Sequence, residues 1–424
     1  MIEALQLTGV EKVKVFQIGL GSFGRHGFEK FIEMEKHYRD VDLELIGVCD
    51  SDFERLDMAE KFADSQDVGI ETFNSTEKAY QRAEKENCEE CKILIYDAGP
   101  TELHAEHIFR SLRNGFFHLA EKPPSMTRED HIREKKLMLD NDVRFTVDFI
   151  ERESPVVKKA LKLLEGKDID SIEVFRESTL GIQKILEPVE RMGVKGGAVL
   201  DKMSHEAYIL DFLEPDFELE EVKKKYFMPF DVGSDSFMDI RSGKASKINE
   251  LTASGMCTAK ISGEADIILH SSWLGSSERA RTLGEELADV TGHNPVESDF
   301  SVLGEEGFLD EECRFFVIKG NRDLFGDMLH KRLFDLETGE EIELDSGLHD
   351  QLYRVLESSV RSAAGLENNS LTEEEIDEYM NLIFDISESY EKEDEFEMLQ
   401  TVNSRVKERI LENVFETEGL KEEV

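Results

Sequence analysis

Gly19-Leu20-Gly21-Ser22-Phe23-Gly24 is the stretch that decides the fold of the N-terminal region. It follows an apolar run at residues 13–18 and opens a helical pattern that continues to about residue 38. In a strand, glycine turn and helix unit, the first glycine permits the turn and the second lets the backbone approach a pyrophosphate. The third lets the helix pack on the strand. The phosphates then contact free N–H groups at the helix N-terminus.

Asp50 follows a second β-like run at residues 43–49. An acid about twenty residues past the glycine motif is placed to bind the adenosine ribose hydroxyls and to repel a 2′-phosphate. The alternative is a glycine turn that only joins strand to helix, but the flanking strand, helix and acid together favour dinucleotide binding. The sequence therefore predicts NAD as cofactor, with NADP as the alternative. The predicted cofactor contacts in this region are Gly19, Gly21, Ser22, Phe23, Gly24 and Asp50.

Length and charge limit the class of protein. A chain of 424 residues is too long for one ordinary core, so we expect two domains. The net charge of −43 disfavours nucleic acid and anionic membrane surfaces as partners. It fits either an acidic surface adapted to a salt-rich cytosol or a very soluble protein at ordinary ionic strength. With no long apolar run and no secretory pattern at the start, we expect a cytoplasmic protein outside the membrane.

The spacing of the cysteines does not predict a complete metal site. Five cysteines do not form a disulfide framework, and Cys88 and Cys91 have the spacing of half a zinc site. No second cysteine or histidine pair follows nearby, so the sequence predicts no metal site.

Strands and helices alternate in the first 150 residues, which predicts a doubly wound parallel sheet of the Rossmann type. The strand candidates are 13–18, 43–49, 70–73, 92–97, 116–120 and 143–149. The helix candidates are 23–38, 52–65, 75–86, 102–114 and 127–140. The predicted NAD(P)-binding domain is 1–150.

Beyond residue 150 the pattern changes to longer strands, which predicts a second α/β domain with a large, mostly antiparallel open sheet. A helix is expected at 155–166 and two more at 347–365 and 372–390. The strand candidates are 171–178, 221–228, 250–261, 265–274, 313–319 and 327–344, the last with a hairpin signal at 336–340. The predicted substrate-binding and oligomerisation domain is 151–390, followed by an acidic helical tail at 391–424.

Three further groups of residues could carry chemistry. Ala98, Gly99, Pro100 and His104 follow the fourth strand, where small residues let a cofactor lie across the strand end, although an ordinary turn is the alternative. Glu121-Lys122-Pro123 follows the fifth strand, and its ammonium can polarise a carbonyl and pass a proton. A surface lysine in a turn is the alternative at this position. The sequence does not determine whether the peptide bond before Pro123 is cis or trans. Asp201 and His205 are spaced i, i+4, so on one helix they would face a substrate hydroxyl together. An ordinary helix-face pair and half a metal site are the alternatives.

These motifs, in this order, resemble the glucose–fructose oxidoreductase/inositol dehydrogenase (Gfo/Idh/MocA) family. The resemblance rests on Gly19 to Gly24, Glu121-Lys122-Pro123 and the Gly196 to His205 motif. It implies that Lys122, Asp201 and His205 are catalytic, and that Glu121, Lys122 and Pro123 contact the cofactor. Two positions depart from the family pattern, because Lys202 follows the motif Asp and Ala98-Gly99-Pro100 stands where a Thr-Pro pair is commoner.

The resemblance also implies a reaction and an assembly. We expect hydride transfer between nicotinamide and a sugar, polyol or sugar-derivative carbinol or carbonyl. Another C=O or C=N reductase and a non-catalytic NAD-binding regulator are the alternatives. The predicted substrate contacts are Lys122, Arg152, Asp201, Lys202 and His205. Positive charge at Arg191, Lys195, Lys202 and Arg152 suggests an anionic sugar, with local compensation of Glu187 and Glu190 as the alternative. A homodimer or homotetramer through the C-terminal sheet is expected.

Overall fold

A computed structural model describes most of the chain as two compact units. The described residues are 12–88, 91–141, 143–178, 197–212, 217–227, 236–239, 244–247, 253–272, 276–298, 311–345, 350–366 and 372–389. The first unit comprises Met1–Lys158, Ser204–Asp211 and Asp345–Phe384. The second comprises Lys159–Met203, Phe212–Leu344 and Asp385–Val424. Each unit consists of segments that are not contiguous in sequence, whereas each predicted domain is one continuous segment.

A six-stranded parallel sheet forms the centre of the first unit, in the order β3-β2-β1-β4-β5-β6. This is the strand order of a Rossmann fold and confirms the predicted doubly wound sheet. Its strands are β1 Lys12–Ile18, β2 Asp42–Cys49, β3 Glu71–Phe73, β4 Cys91–Asp97, β5 Phe117–Glu121 and β6 Phe145–Asp148. The helices between them are α1 Ser22–His37, α2 Phe53–Ser65, α3 Thr76–Glu86, α4 Thr101–Arg113 and α5 Arg128–Asn141.

Both faces of this sheet are buried, as is usual for parallel strands that have helices on either side. Within β1, Val13 and Val15 lie in a core that includes Phe31 of α1. Phe16 and Ile18 face the other way, into a core that includes Tyr80 of α3. The alternating apolar run at 13–18 is therefore divided between two cores, and this fixes the position of the glycine turn that follows it.

The carboxyl ends of the strands meet at one edge of the sheet. Ile18 pairs with Cys49 of β2 and with Asp97 of β4, and Glu121 of β5 pairs with Asp148 of β6. The glycine turn and the turns after β2, β4 and β5 therefore lie at the same edge, where α/β sheets of this kind bind their ligands.

The second unit contains a large, mostly antiparallel sheet, as predicted. Its strand order is β16-β15-β14-β7-β12-β11-β8, with β13 paired to β14, and only the β7–β12 pair is parallel among the described residues. The strands are β7 Ile169–Ser178, β8 Glu218–Phe227, β11 Ala253–Ser262, β12 Asp266–Ser272, β13 Glu297–Ser298, β14 Glu311–Gly320, β15 Leu324–Asp327 and β16 Arg332–Asp335. A separate pair is formed by β9 Ser236–Asp239 and β10 Lys244–Lys247. The helices that follow α5 along the chain are α6 Pro155–Leu164, α7 Gly197–Asp201, α8 Glu278–Thr291, α9 Gln351–Ala363 and α10 Glu373–Glu388.

Two details of this region differ from the prediction. Within the β-rich stretch expected at 327–344, β16 is a short strand, because a turn at 328–331 with Lys331 at φ 56° separates it from β15. Helix α8 was not expected, although Ser277 caps its N-terminus by accepting from the N–H of Ala280 and Gly292 ends it in the left-handed region. The hairpin signal at 336–340 is confirmed, because Asp335 donates its N–H to the Glu340 carbonyl. The predicted tail at 391–424 lies outside the described residues.

Helices α9 and α10 pack in the first unit, whereas the sequence analysis assigned them to the second domain. Leu356 and Val360 of α9 join the core that contains Phe28 and Phe31 of α1. The ring of Tyr379 in α10 packs edge-on against Phe149, with 5.5 Å between the ring centroids. Among the described residues, no helix is long and apolar enough to cross a membrane.

Candidate active site

Two of the three motif glycines are required by the packing of the protein itself. Gly19 has φ 87°, and a Cβ there would lie 2.3 Å from the carbonyl oxygen of Ala98. A Cβ at Gly24 would lie 2.4 Å from the carbonyl oxygen of Gly19. The ends of β1 and β4 and the start of α1 can approach this closely only because neither glycine carries a side chain.

Gly21 is different, because a Cβ at this position would meet no atom of the described protein within 4 Å. Gly21 is the N-cap of α1, and Ser22 and Phe23 form the first turn of that helix. No side chain caps the helix, and its first turn holds no acid. Open space beside uncapped helix N–H groups fits the pyrophosphate of a dinucleotide, which a side chain at this position would displace. The residues present therefore fit an NAD(P) cofactor.

Gln17 braces the glycine loop and was missed by the sequence analysis. Its buried amide nitrogen donates to the carbonyl oxygens of Gly19, at 2.9 Å, and of Gly24, at 2.5 Å. These two bonds join the start and the end of the loop. A glutamine inside the apolar run at 13–18 was the available signal, because a polar side chain buried in a strand needs hydrogen-bond partners.

Asp50 ties the glycine loop to the end of β2. Its Oδ2 accepts from the N–H of Leu20 at 2.7 Å, and its Oδ1 accepts from the N–H of Asp52 at 2.9 Å. The guanidinium of Arg55 lies 3.6 Å from the Asp50 Oδ2, and the Arg55 side chain is half exposed. Asp50 therefore lies at the loop and holds its backbone. Arg55 adds a positive charge beside it that the sequence analysis did not consider.

A buried hydrogen-bond network fixes the turn after β4. Asp97 accepts from the N–H of Gly99 at 3.0 Å and from Nδ1 of His107 at 2.8 Å. Burial alone would raise the pKa of Asp97, but the charges of His104 and His107 hold it at about 2. Burial lowers the pKa of the neighbouring His118 to about 3, so the His118 ring is neutral. The ionised Asp97 therefore anchors the backbone of the Ala98-Gly99-Pro100 turn, with Ala98 against Gly19 and Pro100 as the N-cap of α4.

His104 joins this turn to the Lys122-Pro123 segment. The buried ring makes hydrogen bonds with the carbonyl oxygens of Gly99, at 3.1 Å, and Pro123, at 3.0 Å. The Lys122–Pro123 peptide bond is cis. Lys122 is half-buried and follows directly after the end of β5. His104, which was predicted to contact the cofactor, thus holds the two turns together.

Glu121, which is partly buried, faces the buried carboxyl group of Asp148, a pairing that the sequence did not predict. Tyr96 donates its hydroxyl to the Glu121 Oε1 at 2.9 Å, and Asp148 faces Glu121 from the next strand. Burial raises the pKa of Glu121, and burial together with the Glu121 charge raises the pKa of Asp148 well above its usual range. The raised pKa values favour protonation of one of the two carboxyl groups, so that two negative charges do not face each other. The Glu121 side chain therefore contacts Tyr96 and faces Asp148 within the first unit.

Two predicted anion ligands have protein partners. Arg152 makes a paired contact with Asp211, from Nε at 2.9 Å and from Nη2 at 2.5 Å, and Nη2 also donates to Glu375 at 3.2 Å. The Lys202 ammonium donates to the Ser178 hydroxyl at 2.7 Å in the second unit. Two carboxylates balance the charge of Arg152, so these contacts do not support it as a free ligand for an anionic substrate.

The prediction that Asp201 and His205 lie on one helix is wrong. Helix α7 spans only Gly197–Asp201, and a 3₁₀ turn follows at Met203–His205. The last α-helical bond runs from the N–H of Lys202 to the carbonyl of Ala198. The i, i+4 argument for one shared helix face therefore does not apply. Both side chains are half-buried and lie at the ends of short turns.

The fold and the glycine loop define the class of protein. A Rossmann sheet whose strand ends present an open glycine at an uncapped helix and an acid on the loop is the arrangement of an NAD(P)-binding domain. Residues 13–149 match the family described as "Oxidoreductase family, NAD-binding Rossmann fold", the Gfo/Idh/MocA family. The N-terminal region of the chain thus matches the Gfo/Idh/MocA family, in agreement with the resemblance given by the motifs.

Solved structures resemble this chain over almost its whole length. The UDP-N-acetylglucosamine 3-dehydrogenase GnnA from Acidithiobacillus ferrooxidans is 14% identical with a TM-score of 0.60, covering 90% of this chain and 98% of that chain. KijD10, a 3-ketoreductase from Actinomadura kijaniata solved with TDP-benzene and NADP, is 14% identical with a TM-score of 0.59, covering 88% and 96%. The WlbA dehydrogenase from Bordetella pertussis, solved with NADH and UDP-GlcNAcA, is 16% identical with a TM-score of 0.59, covering 89% and 97%.

At these identities the likeness shows the fold. No curated protein matches the chain significantly in sequence.

Proposed function

We propose that this protein is an NAD(P)-dependent dehydrogenase acting on a carbinol or carbonyl carbon of a sugar-type substrate, with a nucleotide-linked sugar as the first class to test. The observation that carries the proposal is the position of Lys122. It lies at the carboxyl edge of the Rossmann sheet, directly beside the Gly99, His104 and Pro123 bridge. The turns that would hold a cofactor and the turn that carries the lysine are thus one hydrogen-bonded assembly.

The chain's own residues then have separable roles. Gly21 and the first turn of α1 bind the pyrophosphate, and Asp50 holds the loop beside the adenosine ribose. When bound, the nicotinamide supplies or accepts a hydride. The Lys122 ammonium stabilises negative charge on the reacting oxygen, and its rigid turn orients it before substrate arrives. The roles of His205 as proton acceptor and Asp201 as orienting group rest on the motif resemblance.

The substrate class is supported by the fold neighbours. By their descriptions, one of these proteins is a UDP-sugar dehydrogenase and another is a dehydrogenase solved with a UDP-sugar derivative. A nucleotide-linked sugar is anionic, in agreement with the expectation from the sequence. Because Arg152 is engaged in ion pairs, we expect other residues to bind the phosphates of such a substrate.

The location and assembly are parts of the same proposal. All five cysteines are free thiols, which fits the reducing cytoplasm where pyridine nucleotides are supplied. The extended sheet of the second unit is the proposed surface for a homodimer or homotetramer. Light scattering of the purified chain measures the mass of the assembly directly, and a monomer would contradict this part.

A substrate panel tests the activity. The purified chain is incubated with NAD or NADP and with UDP-linked, TDP-linked and free sugars, and formation of reduced nicotinamide is followed by absorbance. Turnover with a sugar-type substrate, lost in Lys122→Ala and retained in the exposed control Lys136→Ala, supports the proposal. Binding of cofactor without turnover on any member of the panel, in either direction, would favour a non-catalytic regulator.

A further inference from the structure

A group of two histidines and one aspartate lies in the second unit and takes no part in the function proposed above. His293 follows α8, Asp327 ends β15, and His330 lies in the turn before β16. One nitrogen of each imidazole and one carboxylate oxygen all lie within 4.8 Å of one another. Because 34 residues separate His293 from Asp327, sequence spacing gave no sign of the group.

One ring nitrogen of each histidine lies close to the same carboxylate oxygen of Asp327. The Oδ2 of Asp327 lies 2.7 Å from Nε2 of His293 and 2.7 Å from Nδ1 of His330. Asp327 is completely buried, and its Oδ1 accepts from the N–H of His330 at 2.9 Å. The carboxylate is therefore held in place by the backbone while its other oxygen faces both rings.

The surrounding residues fix the imidazole of His293. Its ring lies roughly parallel to those of Phe325 and Phe334, with centroids 6.1 and 5.6 Å away. The hydroxyl of Thr291 accepts from the N–H of His293 at 3.2 Å, which sets the backbone of the loop. His330 is 28% exposed on its side chain, so one side of the group opens to solvent.

We propose that His293, Asp327 and His330 bind a divalent transition cation, with Zn²⁺ as the expected ion. Imidazole nitrogens and a carboxylate oxygen are ligands that Zn²⁺ takes, with bonds of about 2.0–2.2 Å. Around a tetrahedral ion such ligand atoms lie about 3.3 Å apart, so each of the two 2.7 Å separations would need to widen by only about 0.6 Å. The solvent-facing side leaves room for water as a further ligand.

The bound cation would join two parts of the second unit. His293 belongs to the loop after α8, whereas Asp327 and His330 belong to the β15–β16 hairpin at the edge of the sheet. Binding in the folded state alone stabilises that state. The proposed site therefore secures the helix α8 layer to the edge hairpin, independently of the oxidoreductase chemistry.

Calorimetric titration of the full-length, chelator-treated protein with ZnCl₂ is the direct test. We expect one ion per chain, and the visible absorption bands of Co²⁺ in place of Zn²⁺ would report histidine ligation. His330→Gln and Asp327→Asn should each lower the affinity at least about 100-fold, since each removes a direct ligand. Zn²⁺ at about 100 times its Kd should raise the melting temperature of the wild type by about 5 °C and leave that of His330→Gln unchanged.

Two control variants locate the site. The exposed His37→Gln change and the Cys88→Ser change, which removes half of the cysteine pair, should bind Zn²⁺ as the wild type does. Because His330 is partly exposed, His330→Gln should fold, and His293→Gln serves as the second ligand variant if it does not. The proposal is overturned if the wild type binds no Zn²⁺, if the ligand variants bind with wild-type affinity, or if Cys88→Ser abolishes binding.

Discussion

Replacing Gly21 with alanine should separate cofactor binding from folding. A Cβ at Gly21 meets no protein atom within 4 Å, and its backbone angles of φ −60° and ψ −175° are open to alanine. The free energy of unfolding should therefore change by no more than about 0.5 kcal/mol, or rise slightly because the unfolded chain is less flexible. Folding gives no reason for glycine at this position.

The cofactor should respond strongly to the same change. A methyl carbon keeps other atoms about 3.5–4.0 Å away, whereas phosphate oxygens bind helix N–H groups at about 2.7–3.2 Å. Gly21→Ala should therefore cost at least one hydrogen bond to a charged group, about 1.5–3 kcal/mol. That loss corresponds to a Kd for NADH raised about tenfold to 150-fold.

Matched glycine variants complete the test, with fluorescence titration of NADH and thermal unfolding as the assays. Gly69 is also exposed with no neighbour within 4 Å, so Gly69→Ala should alter neither affinity nor stability. Gly19→Ala should destabilise the fold by about 2–5 kcal/mol, because φ is 87° and the new Cβ would lie 2.3 Å from the Ala98 oxygen. Wild-type NADH affinity in Gly21→Ala would refute the placement of the pyrophosphate at this loop.

Three further predictions concern charge. Wild-type protein should bind NAD at least about tenfold better than NADP, and equal wild-type affinities would contradict this. Asp50→Asn keeps an acceptor for the Leu20 N–H and should narrow the difference in affinity measured by titration, because it removes a negative charge that repels a 2′-phosphate. Raised carboxyl pKa values in the folded state mean that the Glu121–Asp148 pair contributes stability below about pH 4 and loses it as pH rises, by up to about 1.4 kcal/mol per pH unit. Denaturant unfolding of Asp148→Asn should show a flatter pH profile than the wild type above pH 4, and an identical slope would contradict protonation of this carboxyl pair. If the net charge of −43 reflects salt adaptation, the melting temperature should rise clearly between low salt and molar KCl, whereas a flat response would leave only the solubility explanation.

Much of the first unit could be predicted from local sequence signals. The glycine turn, the alternating apolar runs and the acid at Asp50 each act over a few residues, and together they specify β1, α1 and β2. Helix α8 was missed because Gly284 interrupts its pattern and its buried face is small, formed by Ala280, Leu283 and Leu287. Its capping residues, Ser277 and Gly292, were the signal that could have found it.

The supporting contacts of the site could not be predicted, because they depend on register between distant strands. Asp148 meets Glu121 only because β5 and β6 pair in one particular alignment. The bridge from Gly99 through His104 to Pro123 likewise joins turns that follow different strands. The motif at Gly196 to His205 predicted chemistry but misled about structure, since residue spacing cannot show that α7 ends at Asp201.

Single-turnover hydride transfer in Lys122→Ala, followed by stopped-flow absorbance on a substrate identified by the panel, tests the central claim most directly. We predict a rate constant lower by about 10²–10³, the range for loss of one group that stabilises charge in the transition state, with NAD affinity nearly unchanged because the pyrophosphate binds at Gly21. Lys136→Ala, an exposed lysine of α5, should transfer hydride at the wild-type rate. A near-wild-type rate in Lys122→Ala would show that this lysine is only a turn residue and would contradict the proposed mechanism.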